Sequence, residues 1–393
     1  MRALRSIPMK TQFLATCLLF AASVAAAASG APKPAGTDPG AAATSPSWNP
    51  QTAADYLDSR EVWWQAWPRA QKDHGTLCIS CHTVVPYALA RPALEKELHE
   101  STPPAPERSM LASVEKRVSN WPEMAPFYSD AANGPGKTAE AHATEAVLNA
   151  AILASYDARE GHLRSITRTA FDEVWALQET TGEKAGAWKW QNFHLSPWES
   201  DESAYQGSAL LAVAVGHAPD GYAQQSEVRE HVRRLREFLR QNFAAQPLMS
   251  QLYVLWASPR IPGLLTRSER RRLLAATEGL QQADGGWRLA SLDPRHRLDD
   301  TAEPDASDGM ATGLVVLTLD AAGTSSRNPS LLRGVAWLRL HQEKDGSWQA
   351  ASLNKQRDPA NNAALFMTDA ATGYAVLALE SARSSGAHQP RSR

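Results

Sequence analysis

The chain has 393 residues, of which 43% are hydrophobic and 21% charged, and its formal net charge is -2. That apolar content supports a folded core and excludes a disordered polyelectrolyte, and the near-neutral balance gives no sign of nucleic-acid binding. The length accommodates one large domain with an appendage.

At the N-terminus, Arg2, Arg5 and Lys10 precede an uncharged run from Phe13 to Ala28 that ends in small residues. This is the layout of a signal peptide over residues 1–28, with Ala26, Ala27 and Ala28 as cleavage choices. The run is shorter than the roughly 20 residues that span a bilayer, so removal is expected rather than anchoring. Cys17 sits within the run, whereas a lipidated cysteine would close it. The expected product is periplasmic or secreted and has no transmembrane anchor. Loss of three positive charges takes its net charge to about -5. Residues 29–54 follow as a flexible linker, rich in Ala, Pro, Gly, Ser and Thr as far as Pro50.

Cys17 leaves with the signal, so the mature chain keeps only Cys78 and Cys81, within Cys78-Ile79-Ser80-Cys81-His82. A disulfide between these near neighbours would not need His82. A zinc knuckle would need a second Cys or His pair, and the sequence has no second Cys pair. Covalent haem attachment needs all three residues, two thiols for the two vinyl groups and an imidazole directly after them for the iron. Export agrees with this chemistry, because such attachment takes place outside the bacterial cytoplasm. One haem c is expected, with Cys78 and Cys81 as its thioether anchors, His82 as the proximal iron ligand, and a redox partner that the sequence does not name. For the distal position, Met124 lies in the loop-like Trp121-Pro122-Glu123-Met124-Ala125-Pro126, with His99 and His142 behind it as candidates. Met110 reads as core, since Met110, Leu111, Val114, Val118 and Trp121 share one helical face. An open sixth position is the other reading. Residues 55–104 form the expected haem-binding segment. Trp63, Trp64 and Trp67 either pack on the macrocycle or form core, and the segment is short enough to need the rest of the protein to cover its haem.

From residue 105 to 383 the pattern is helical. Val228, Val232, Leu235, Leu239 and Phe243 mark an amphipathic helix whose arginines read as a solvated face, and Thr266 to Glu269 has capping-box spacing. Between such helices lie segments apolar on nearly every side: Ala146 to Ala154, Ala209 to Val215, Leu252 to Ala257, Leu314 to Leu319 and Tyr374 to Leu379. A helix apolar all round is a buried helix, so the alternation predicts stacked helical hairpins with the buried helices inside. Residues 384–393 read as a disordered tail.

Direct repetition supports the stacking. Gln281, Gly285 and Trp287 recur as Gln342, Gly346 and Trp348, Thr312-Gly313 recurs as Thr372-Gly373, and a looser copy holds Gln178, Gly186 and Trp188. The copy Arg333-Gly334-Val335-Ala336-Trp337-Leu338, followed by Gln342, Gly346 and Trp348, resembles the QW motif of squalene and oxidosqualene cyclases, relatives of prenyltransferase β subunits. The resemblance spans roughly residues 106–383 and is specific only after Leu280. It implies an all-α fold of the terpenoid cyclase superfamily, an α/α toroid of about five to six helical hairpins joined to an N-terminal haem c segment that is similar to the attachment site of c-type cytochromes. It also implies a structural role, not a chemical one, for Gln281, Trp287, Gln342 and Trp348.

Terpenoid cyclases of the protonating class use the middle Asp of a DxDDTA motif. Here Arg297 stands in place of the first Asp of Asp299-Asp300-Thr301-Ala302, so the match reads as accidental. Asp299, Asp300, Glu303, Asp305 and Asp308 then read as a solvated acidic loop, with calcium as the metal option. Protein prenyltransferase zinc chemistry is not expected, because the toroid has no cysteine. The expected function is haem binding and electron transfer, with the toroid as scaffold or as a cavity for an apolar, isoprenoid-like ligand. The alternative is a haem-dependent enzyme acting on such a ligand, and a third reading is a carrier whose haem is only structural.

Overall fold

The computed structural model describes residues 47–124 and 134–387, so the expected signal peptide and most of the linker lie outside the described residues. Two kinds of helix alternate along the chain. The outer kind comprises α1 (Pro50–Ala66), α3 (Ala105–Ser119), α5 (Ser165–Ala176), α7 (Arg229–Asn242), α9 (Arg267–Gly279) and α12 (Pro329–Leu340). The inner kind comprises α2 (Val84–Leu98), α4 (Gly134–Glu160), α6 (Ser203–His217), α8 (Leu248–Ala257), α11 (Gly309–Ala321) and α13 (Phe366–Ala387), with the single turn α10 (Leu289–Leu292) before α11. A two-stranded antiparallel hairpin, β1 (Gln71–Lys72) and β2 (Thr76–Leu77), precedes α2.

The inner helices pack in the order α2, α4, α6, α8, α11, α13 and back to α2, a closed ring of six with an outer helix behind each. The five apolar segments of the sequence lie in α4, α6, α8, α11 and α13. Every residue of Ser203–Val215 and of Gly309–Asp320 is buried, as a helix surrounded by other helices requires. The expected all-α toroid is therefore observed, with six hairpins.

The sixth inner helix comes from residues 55–104, the segment expected to carry the haem outside the toroid proper. Helix α2 packs against both α4 and α13, so residue 104 marks no break in the packing, and the cysteine-bearing segment supplies the first hairpin of the ring. Its burial escaped the sequence pattern because α2 carries Arg91, Glu95, Lys96 and an internal Pro92. Residues 50–54, expected as the end of the linker, are instead the first turn of α1. Asn49 caps that turn by accepting from the Gln51 and Thr52 N–H groups, and Pro50 takes the first helical position. At the other end α13 continues to residue 387, into the expected tail.

The repeats act as clasps between neighbouring hairpins. Gln178, Gln281 and Gln342 each donate to the carbonyl of the glycine in their own turn, at 3.2, 2.8 and 3.1 Å, and to the start of the next outer helix. Those second acceptors are His231 O in α7, Ser330 O in α12 and Asn49 O before α1. The last clasp thus closes the ring by joining residues 293 positions apart. Trp188, Trp287 and Trp348 are fully buried, and their indole N–H groups donate to Val174 O, Thr277 O and Leu338 O. Gly346 has φ +91°, and a Cβ there would stand 2.0 Å from Thr52 O. Only glycine serves there.

Candidate functional site

The connections that enter the inner helices, such as 67–83, 177–202, 280–308 and 341–365, are long, and they touch one another through His82 and Trp198, Ser196 and Asn354, and Glu202 and Arg295. The motif lies in the first of them. Cys78 is held by its N–H donating to Ala70 O (2.7 Å), and its carbonyl accepts from Trp64 Nε1 (2.8 Å). Beneath it, Leu77 N–H donates to Ser113 Oγ, and buried Arg117 reaches both Thr76 and Glu145. Ser80 precedes the turn that leads into α2. Its hydroxyl accepts from Thr83 and Val84 N–H, at 3.3 and 3.1 Å, satisfying donors that the helix leaves open.

Cys78 and Cys81 are both half-buried free thiols. Burial pushes the Cys78 thiol up to about 11 and raises Cys81 further. Both are therefore protonated at neutral pH, unlike the acidic thiols of dithiol redox sites. His82 lies among aromatic rings, stacked on Phe366 at 3.7 Å between centroids and flanked by Trp64 at 5.3 Å and Trp198 at 5.8 Å. Burial, then the charges of Arg60 and Arg357, lower its pKa to about 3, so the imidazole is neutral.

Behind His82 is a buried polar network. His82 Nδ1 is 2.9 Å from Thr83 Oγ1, and the Thr83 hydroxyl donates to Asp369 Oδ2 at 2.7 Å. Asp369 also accepts from Tyr56 OH (2.9 Å) and from Arg60 Nε (2.7 Å) and Nη2 (3.1 Å). Burial raises the Asp369 carboxyl, and Arg60 is the main opposing influence. Arg60 in turn lies over the Trp63 ring at 4.4 Å.

Small voids adjoin the thiols, one of about 20 Å³ against Cys81 and another of about 40 Å³ against Cys78. Trp63, Trp67, Asp358 and residues 360–363 line an open groove of about 440 Å³. Deeper along the axis the Tyr253 and Tyr374 hydroxyls bond to each other under Cys81. Leu210 separates this layer from a pocket of about 820 Å³ at the C-terminal ends of the inner helices, where Leu89, Leu111, Val213, Trp256 and Leu377 give a largely apolar wall and Glu95, Lys96, Arg159 and Glu160 add charge.

Met124 is half-buried just after the turn Trp121–Glu123, and the rings around His82 come from α1, α13 and the 177–202 connection. The rest of its loop, residues 125–133, lies outside the described residues. Met110 is core, 1% exposed. His99 ends α2 in the left-handed region, and His142 stacks on Trp121 at 4.1 Å. Asp299 and Asp300 are exposed, and Asp299 accepts within its own turn and from Gln356 N–H. Arg297, in the position of the motif's missing first Asp, is buried and clamps Ala302 O and Ser352 O. Asp308 separates from the loop to cap α11, and burial raises its carboxyl to about 7. Among the described residues no three His, Cys, Asp or Glu side chains gather as a group able to hold a metal ion among themselves.

Residues 267–360 and 309–391 match the squalene-hopene cyclase C-terminal domain. Over that C-terminal stretch the ring is similar to the squalene-hopene cyclase domain. No curated protein matches the chain. Among solved structures it is similar to a glycosidase, with 12% identity and a TM-score of 0.46 over 84% of this chain and 97% of that one.

Asp369, Arg60, Tyr56, Trp198 and Phe366 were not singled out in the sequence as site residues. Asp369 carried a signal, an acid shortly before the apolar segment Tyr374 to Leu379, and Thr83 follows His82 directly. Trp198 and Phe366 carried none, because nothing local ties them to residue 82.

Proposed function

We propose that this is an exported monohaem c-type protein in which Cys78 and Cys81 hold the haem by thioether bonds, His82 binds its iron, and the iron passes single electrons. The observation that carries the reading is the state of His82. It is tied through Nδ1 to Thr83 and stacked by a ring face on Phe366, which leaves the in-plane direction at Nε2 for a metal bond, and burial lowers its pKa. Two free thiols stand beside it in the attachment order. The donor set fits the group. The voids of about 20 and 40 Å³ do not hold a macrocycle, so the reading requires the aromatic side chains and the 341–365 connection to move outward. Met124 is the proposed distal ligand. The largely apolar pocket of about 820 Å³ supports the further role of the toroid as a cavity for an apolar ligand.

The purified exported protein should keep haem stain on a denaturing gel, because thioether bonds survive loss of coordination. Cys78→Ser with Cys81→Ser should abolish the stain, and its persistence in that double variant would sink the assignment. A low-spin spectrum that loses its Met-to-iron band in Met124→Ala supports electron transfer with that distal ligand. An unchanged spectrum removes Met124 from the proposal.

A further inference from the structure

The donors around Asp369 determine more than its burial. All four contacts to this carboxyl come from hydrogen-bond donors: two guanidinium nitrogens of Arg60, the Tyr56 hydroxyl and the Thr83 hydroxyl. With a guanidinium fork upon it, Asp369 is a carboxylate and acts only as an acceptor. The single proton of the Thr83 hydroxyl is therefore committed to Asp369. The 2.9 Å contact between Thr83 Oγ1 and His82 Nδ1 then has only one sense, Nδ1–H donating into a hydroxyl lone pair. Nε2 is left with its lone pair free.

We infer that Asp369, relaying through Thr83, is a positioning residue that holds His82 as the Nδ1–H tautomer, fixes its ring and strengthens Nε2 as a metal donor. The consequence for iron rests on the haem reading above; the tautomer does not. The physical basis is a chain of polarised hydrogen bonds. A buried carboxylate draws the hydroxyl proton toward itself, the hydroxyl oxygen gains negative charge, and it pulls on Nδ1–H. Tyr56 and Arg60 hold the carboxylate in place from the α1 side. A more basic imidazole favours the more positive iron state, so the relay lowers the reduction potential.

The decisive variant is Thr83→Val, which removes the hydroxyl and leaves the Arg60–Asp369 pair standing, whereas Asp369→Asn also strips Arg60 of its counter-charge. Thr83→Ser restores the hydroxyl. The first measurement is made on the full chain carrying Cys78→Ser and Cys81→Ser, where ¹⁵N histidine correlations report which ring nitrogen of His82 bears the proton. With the relay intact, and with Ser at 83, Nδ1 is protonated; with Val at 83 the proton shifts toward Nε2. The second measurement is the midpoint potential of the haem-bearing protein, which should rise in Thr83→Val and return in Thr83→Ser. An unchanged tautomer in Thr83→Val overturns the relay. A changed tautomer with an unchanged potential overturns its effect on iron. If the parent chain shows no haem on a denaturing gel, the haem reading fails and the tautomer measurement alone decides the relay.

Discussion

Around α9, α11, α12 and α13 one device is used repeatedly: a glutamine, a positive-φ glycine and a buried tryptophan clasp one hairpin to the next. At the corner formed by α1, α2 and α13, a charged network of Arg60, Tyr56, Thr83 and Asp369 joins the elements instead. The first arrangement is tolerant of chemistry but not of shape, because its parts are apolar rings and backbone approaches at van der Waals limits. The second depends on every donor finding its acceptor, since an unpaired charge there has no water to turn to. A wall can be built by repetition. An oriented imidazole cannot.

The sharpest way to break the clasp side is Gly346→Val. Its Cβ falls 2.0 Å from Thr52 O, so α1 must leave the ring, and thermal denaturation should show a larger loss than for any packing change nearby. Trp348→Ala, which empties a fully buried site, should cost about 3–5 kcal/mol in denaturant unfolding. Equal melting curves for Trp348→Ala and the parent would mean that the repeats do not hold the ring.

On the network side, Arg60→Leu leaves Asp369 buried without its cation and should cost about 3–5 kcal/mol. Changing both partners to apolar residues should recover much of that loss, because the desolvation of the pair is relieved together with its attraction. A double variant that is worse than Arg60→Leu by the full cost of losing Asp369 would show that the two residues are not coupled.

A further effect concerns pH. Burial first, and then a hydrogen bond with Glu95, raise the Glu107 carboxyl from its ordinary 4.5 to about 8. Between those values the folded chain holds a proton that the unfolded chain has released, so stability falls as pH rises through the window. Glu107→Gln should flatten the decline between about pH 5 and about pH 8 in melting experiments. A slope identical to that of the parent would remove Glu107 as its source.

Much of this architecture was legible in the residues themselves. Five inner helices could be read because a segment apolar on every side has no stable place but the interior, and the recurrence of Gln281 to Trp287 at Gln342 to Trp348 implied stacking, since one such unit cannot bury its own face. Helix α2 could not be read as the sixth, because its Arg91 is satisfied by Asp58 and Glu100, partners on other segments. Cys78, Cys81 and His82 could be singled out because the proposed attachment chemistry needs its residues adjacent in sequence. The surroundings of His82 were decided only by the tertiary structure. Closing the ring carries Asp369 and Phe366 of the last helix against the first hairpin, and a contact between residues nearly 290 positions apart leaves no local pattern to read.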